Sequence, residues 1–275
     1  MNTSYVPNMQ NFDKVVIVTG GSKGIGEGVA RVFVSAGAQV VICARGPSEG
    51  ETLAKELSDT GPGTCYFEPC DVSKPEDLNR LINKTVELHG RIDCLINNAG
   101  WHPGHHSIDD FSVEEFVSLL RLNLVSYFAA SKFALPYLRK THGCIINISS
   151  LVGSMGQEGA TTYCATKGGI TAFTKALAVD EGRHGVRVNA ILPGVIGTPM
   201  HSNFVNSQPN PKKAQEDIDA WQWLGRIGTL EEVGYACLFL ASDGATFITG
   251  IELIISGGAE LAYGLKLPKQ GLLDL

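Results

Sequence analysis

Val15–Gly26, written VVIVTGGSKGIG, restricts the possible folds of this chain more than any other stretch. Five residues, Val15 to Thr19, are apolar or β-branched, and glycines follow at once at 20, 21, 24 and 26. The run from Gly28 to Val34 then continues at helical length. A buried parallel strand, a tight turn and a helix N-terminus read this way. Such a turn presents unpaired backbone N–H groups and the positive end of a helix dipole, where a phosphate can sit. Glycine suits it because a Cβ would block positive φ and hold a pyrophosphate away from the backbone. The spacing is Gly-x3-Gly-x-Gly, not the commoner Gly-x-Gly-x2-Gly. Taken alone it also fits a plain structural turn, so the rest of the chain must decide.

Strand and helix signals alternate along the remaining sequence. Apolar strands are predicted at Gln39–Ala44, Cys65–Phe67 (running on to Cys70-Asp71-Val72), Ile92–Ile96, Cys144–Ile148, Val186–Leu192 and Ile251–Ile255. Helices are predicted over Ser48–Ser58, after an N-cap at Ser73, from a capping box at Ser112–Glu115 through Leu138, over Thr161–Asp180, and from a second capping box at Thr229–Glu232 through Ala241. Alternation of this kind predicts an α/β fold, a doubly wound seven-stranded parallel sheet of Rossmann type, in one domain spanning 1–275. The stretch from Val195 to Ile227 breaks the rhythm with three prolines and the aromatic residues Phe204, Trp221 and Trp223. It reads as a substrate lid beyond the sheet's carboxyl edge, or as a surface excursion whose aromatics pack on the core.

Composition narrows the partners. A net charge of -6 and a pI near 5.6 argue against nucleic acid or an anionic membrane surface. Apolar runs fall short of the roughly 18 residues that span a bilayer, and the polar start, MNTSYVPNMQNFDK, lacks a signal core; a cytoplasmic protein is expected. Seven cysteines, an odd number without a Cys-x2-Cys pair, read as reduced thiols. His102, His105 and His106 lack nearby cysteine or acidic ligands, so no metal site is expected.

Tyr163-x3-Lys167 is the second anchor. Four-residue spacing on a helix puts both side chains on one face. An ordinary tyrosine, with a pKa of about 10, is a poor base near neutral pH, and a neighbouring ammonium favours its phenolate. Ser150, closing the preceding strand, adds a hydroxyl that could hold a carbonyl or alcohol oxygen together with the phenol.

With these residues in view, the chain resembles the short-chain dehydrogenase/reductase family. The matching motifs are Thr19-Gly20-x3-Gly24-Ile25-Gly26, Asp71-Val72, Asn97-Asn98-Ala99-Gly100, Asn123, Ser150, Tyr163-x3-Lys167 and Pro193-Gly194, all in order. The resemblance implies Tyr163 as general acid/base, Lys167 lowering its pKa and holding the nicotinamide ribose, Ser150 orienting the substrate oxygen, and Asn123 holding a relay water. It implies a cofactor groove of Gly20, Ser22, Lys23, Gly24, Ile25, Gly26, Arg45, Asp71, Val72, Asn98, Gly100, Pro193, Val195 and Thr198, with Asn97 beside the ribose. Substrate would meet Ser150, Tyr163, His102 and Gln157.

The activity so implied is NAD(P)-dependent oxidation of a secondary alcohol, on a steroid such as estradiol or a sugar such as L-fucose. A homotetramer is implied as well, with an apolar tail (Leu261, Tyr263, Leu265, Leu267, within about 259–275) packed on a neighbouring subunit. One departure concerns the cofactor. NAD-preferring members usually carry an Asp after the second strand, where this chain has Ala44 and Arg45. With Lys23 nearby and no carboxylate to repel a 2′-phosphate, the residues favour NADP(H), whereas the resemblance favours NAD. Two rivals remain. A 3-ketoacyl thioester reductase would need a basic docking patch, but the Val195–Ile227 segment is mixed in charge. A non-catalytic dinucleotide sensor would be expected to lack Tyr163 or Lys167.

Overall fold

The structure is a computed structural model that describes residues 13–261. Its strands are β1 (Val15–Thr19), β2 (Gln39–Ala44), β3 (Thr64–Pro69), β4 (Cys94–Asn97), β5 (Cys144–Ile148), β6 (Arg187–Pro193) and β7 (Glu252–Ile255). All pair in parallel, in the order β3-β2-β1-β4-β5-β6-β7. The order reverses between β1 and β4, and in such sheets ligands bind outside the carboxyl ends of the strands at that switch point.

Helices cover both faces, which is why β1, β4 and β5 are buried along their whole length and read as unbroken apolar runs. One core packs α1 (Gly24–Ser35) and α9 (Leu230–Ala241) against Val16, Val18 and Ile146. The other packs α3 (Pro75–His89), α5 (Ser126–Thr141) and α6 (Thr161–Gly182) against Ile17, Leu95 and Ile145. Alternate residues of each strand serve the two cores, as the period of two requires. The remaining helices are α2 (Pro47–Thr60), α4 (Val113–Leu120), and α7 (Pro199–Asn206) and α8 (Pro211–Asp219) in the excursion after β6.

Both capping boxes form, at Ser112/Glu115 and Thr229/Glu232. Three local expectations are corrected. Ser73 does not cap α3: Lys74 holds that position, and the Ser73 hydroxyl donates to the closer carboxylate of Asp71 (2.7 Å). The long helix expected from Ser112 to Leu138 is divided by a π-helical turn, Arg121–Val125, around the buried Asn123. The isolated polar residue does interrupt that helix, as its amide is drawn to partners off the helix axis. Asn97 is fully buried, donating to Asn147 Oδ1 (2.9 Å) and Ser131 Oγ (3.2 Å), so it ties strands together and does not face a ribose. Of the predicted apolar tail, Tyr263, Leu265 and Leu267 lie outside the described residues. No helix among the described residues is long and apolar enough to cross a membrane.

Candidate active site

The glycine turn leaves β1 with Gly20 at φ +64° and Gly24 at +60°, values that L side chains rarely adopt. A Cβ on Gly26 would stand 2.3 Å from the Gly20 carbonyl oxygen and 2.5 Å from Asn98 Nδ2. Asn98 fastens the turn: its Nδ2 donates to the carbonyls of Thr19 (2.9 Å) and Gly20 (3.1 Å), and its N–H donates to Thr19 Oγ1 (2.9 Å). No side chain accepts from the first turn of α1, whose N-cap is Lys23. Those N–H groups point at the groove with a positive dipole behind them, so the donor set fits a pyrophosphate.

The other predicted groove residues surround that turn. Ser22 and Ile25 flank its glycines, half-buried. Thr198 caps α7 through the His201 N–H, and its methyl lies 3.5 Å from the position a Gly24 Cβ would take, closing the groove from the far side. Pro193 ends β6, and Val195 accepts from Gly228 N–H beyond it. Asp71 takes both the N–H and the hydroxyl of Ser73, while Val72 is buried below it. Arg45 is exposed at the end of β2. One expectation about this corner is corrected: a carboxylate is present, since Glu49 of α2 lies 3.9 Å from Lys23 Nζ, both side chains largely exposed. Sequence spacing hid it because α2 folds back toward the glycine turn.

Tyr163, Lys167 and Ser150 meet at the carboxyl ends of β4 and β5. Ser150 caps a 3₁₀ turn (Leu151–Gly153), accepting from the Val152 N–H, and its hydroxyl stands near enough to the Tyr163 phenol to lower the phenol's pKa. Lys167, on α6 one turn after Tyr163, is 3% exposed and donates from Nζ to the Ile148 carbonyl at 2.9 Å. Its Nζ lies 5.7 Å from the Tyr163 ring centre. Burial pushes the Lys167 amine down to about 7. Burial likewise pushes the Tyr163 phenol up to about 12, against the nearby Ser150 hydroxyl, which pulls it down. In the protein alone, desolvation of both partners therefore outweighs the help that Lys167 was expected to give Tyr163.

Asn123 clamps the neighbouring loop. Its Oδ1 accepts from the Trp101 N–H (2.9 Å), and its Nδ2 donates to the Trp101 carbonyl (2.9 Å) and to Thr166 Oγ1 (3.1 Å). That clamp sets Gly100 beside Lys167 and starts the loop that carries His102. A Cβ on Gly100 would stand 3.6 Å from Lys167 Nζ.

His102 lies against the Tyr163 ring (centroids 4.3 Å), its Nδ1 accepts from the Gly104 N–H (3.0 Å) and Gln157 is next to it; burial holds it below the usual histidine range. The rings continue outward from His102 to His105 (5.5 Å) and from His105 to Phe204 on α7 (6.1 Å). A line of ring contacts thus runs from Tyr163 to the excursion after β6. The histidines do not form a metal cluster among the described residues. The seven cysteines are unbridged. Sequence reasoning passed over Tyr127 and Thr166, which hold Lys167 and Asn123 from behind. The signal for Tyr127 was its place four residues after Asn123 on an otherwise apolar stretch.

Residues 20–260 match the family model described as Enoyl-(Acyl carrier protein) reductase. The chain is similar to the L-fucose dehydrogenases of Bos taurus (50% identical over 253 residues, 92% of each chain) and Mus musculus (49%, covering 94% of this chain and 93% of the relative). Among solved structures it is similar to Thermoplasma acidophilum aldohexose dehydrogenase in ligand-free form, with a TM-score of 0.84 and 32% identity over 96% of this chain and 99% of that one. Sequence, topology and site agree, and the chain belongs to the short-chain dehydrogenase/reductase family, whose members are oxidoreductases that act on CH–OH groups with a nicotinamide dinucleotide.

Proposed function

We propose that this enzyme oxidises a secondary alcohol of a sugar, with L-fucose as the substrate to test first and a lactone as its product. The observation that carries this reading is the Tyr163 phenol beside the Ser150 hydroxyl, with the His102 ring 4.3 Å from the Tyr163 ring and Gln157 next to His102. A polyol needs hydrogen-bond partners beyond the reacting oxygen: with Nδ1 accepting from the Gly104 N–H, a neutral His102 offers its Nε2–H as a donor, and the Gln157 amide can both donate and accept. The likeness to mammalian L-fucose dehydrogenases over nine-tenths of the chain supports the same substrate.

When bound, a nicotinamide dinucleotide supplies the hydride acceptor. Ser150 and Tyr163 hold the substrate hydroxyl between them, and Tyr163 takes its proton as the carbonyl forms. Lys167 stabilises the phenolate that takes this proton, and the phenol so formed passes the proton onward by way of Lys167 to a water held near Asn123. The segment from Val195 to Ile227 acts as the lid of a single 1–275 domain, with Phe204 against His105 as its contact with the site loop. A steroid alcohol such as estradiol is the second reading, favoured by the exposed Trp101, Met155, Met200 and Phe204 around this loop and lid.

For the cofactor, we favour NADP(H): Arg45 follows β2 where an acidic residue would suit NAD, although Glu49 offsets part of the Lys23 charge. We further place the enzyme in the cytosol as a homotetramer, in line with the exposure of Ile254 on the edge strand β7, Phe247 before it, and Tyr235 and Phe239 on α9. The test is kcat/KM of the purified chain for L-fucose, estradiol and a ketoacyl thioester, each with NAD+/NADH and NADP+/NADPH. Turnover of L-fucose that disappears in Tyr163→Phe is expected. Turnover of only the thioester, or an unimpaired Tyr163→Phe, overturns the reading, and a clear NAD advantage overturns the cofactor assignment.

A further inference from the structure

Behind the acid/base pair lies a second tyrosine that the proposed chemistry does not use. Tyr127 is 1% exposed on α5, one of the largest fully buried side chains in the molecule. Its hydroxyl donates to the Ile148 carbonyl at 3.0 Å, the same oxygen that accepts from Lys167 Nζ at 2.9 Å. Lys167 Nζ also lies 5.8 Å from the centre of the Tyr127 ring and 5.7 Å from that of Tyr163. The ammonium is therefore held between two aromatic rings above one shared carbonyl.

We infer that Tyr127 is a positioning residue for proton transfer, acting through Lys167 by sharing the Ile148 carbonyl and by walling the ammonium with its ring. The inference rests on reading Tyr163 and Lys167 as the acid/base pair, and it adds a residue that fixes where Lys167 sits and how readily it stays charged. A carbonyl oxygen has two lone pairs, and the two donors occupy them together. Burial drives the Tyr127 phenol far above its ordinary value, so its O–H remains a donor throughout the working range. Two effects of Tyr127 on Lys167 then oppose each other. Competition for the carbonyl, together with the positive end of the O–H dipole, disfavours the ammonium. The ring face, within about 6 Å, favours it. The titratable groups facing Lys167 are Tyr127 from α5, Tyr163 on α6, and His102 from the loop after β4. From β5 comes only the carbonyl.

Two substitutions separate the effects. Tyr127→Phe removes the hydroxyl and keeps the ring; Tyr127→Leu removes both. In ligand-free full-length protein labelled with 13Cε-lysine, the Lys167 resonance is identified by its loss in Lys167→Met and titrated with pH. Tyr127→Phe should raise its midpoint by roughly half a pH unit or more, the worth of a hydrogen bond to a charged donor. Tyr127→Leu should lie below Tyr127→Phe. The pH limb of kcat/KM for alcohol oxidation should move in both variants, with the KM for the dinucleotide little changed. A midpoint that stays at the parent value in Tyr127→Phe, with only a lower melting temperature, overturns the inference and leaves Tyr127 as core packing. If Tyr127→Leu does not fold, Tyr127→Phe alone decides. Full activity in Tyr163→Phe would instead overturn the reading of the pair, and the lysine titration would still report on Tyr127.

Discussion

At the scale of single residues, Lys167 carries the largest electrostatic cost. A lysine in the unfolded chain titrates near 10.5, and burial lowers this one to about 7. The native protein then binds fewer protons than the unfolded chain between those values, so stability rises with pH across that window. The cost of holding Lys167 is full below about 7 and gone above the unfolded value. Lys167→Met should thus gain most on the parent near neutral pH. Its advantage should shrink by about 3 kcal/mol as the pH is raised from 7 to 9.5; urea denaturation at the two pH values measures it. The placement of the proposed catalytic residues was legible in the sequence because it follows from short, ordered motifs: Tyr163-x3-Lys167 falls on one helix, and Ser150 at the end of a strand. Tyr127 carries no such mark, since its part depends on a carbonyl from a strand 21 residues further on. Glu49 escaped for the same reason, its approach to Lys23 being set by how α2 folds back.

At the scale of elements, three glycines of α1 look alike in sequence but do different work. Gly24 supplies a positive φ, and Gly26 lets the turn close on Asn98. Gly28 instead lets α1 approach α9, because a Cβ there would stand 2.4 Å from the Leu230 Cβ and 2.6 Å from its carbonyl carbon. Gly28→Ala should push the two helices apart and cost about 1–3 kcal/mol in urea denaturation. Gly182, which ends α6 with nothing within 4 Å of a Cβ, should behave oppositely, Gly182→Ala being neutral or stabilising by about half a kcal/mol. Strand positions were readable because burial on both faces leaves continuous apolar runs. The π-helical turn was not, since Asn123 bends its helix only by pairing with Trp101 and Thr166, 22 and 43 residues away.

At the scale of the whole molecule, some of the exposed apolar side chains lie on or just before the edge strand β7 and on α9. Phe247 is fully exposed just before β7, with Tyr235 and Phe239 of α9 near it in sequence. Phe247→Asp should shift sedimentation toward smaller species while leaving the melting curve of the subunit nearly unchanged, because the side chain buries nothing within one chain; an unchanged sedimentation profile would speak against this face as an assembly contact. Elsewhere the molecule is fastened at the place where it might have been expected to open. Many enzymes grip a ligand by swinging two lobes together. Here Thr19 and Asn98 sew the two halves of the sheet at the reversal point, with four hydrogen bonds of 2.9 to 3.1 Å. The width of the crevice is set before anything enters it. If the groove at this seam holds the coenzyme and the loop from Trp101 and the helices after β6 hold the alcohol, as proposed, the two are built from separate elements, and substitutions in the outer ones should change the KM for the alcohol and leave the KM for the dinucleotide nearly unchanged.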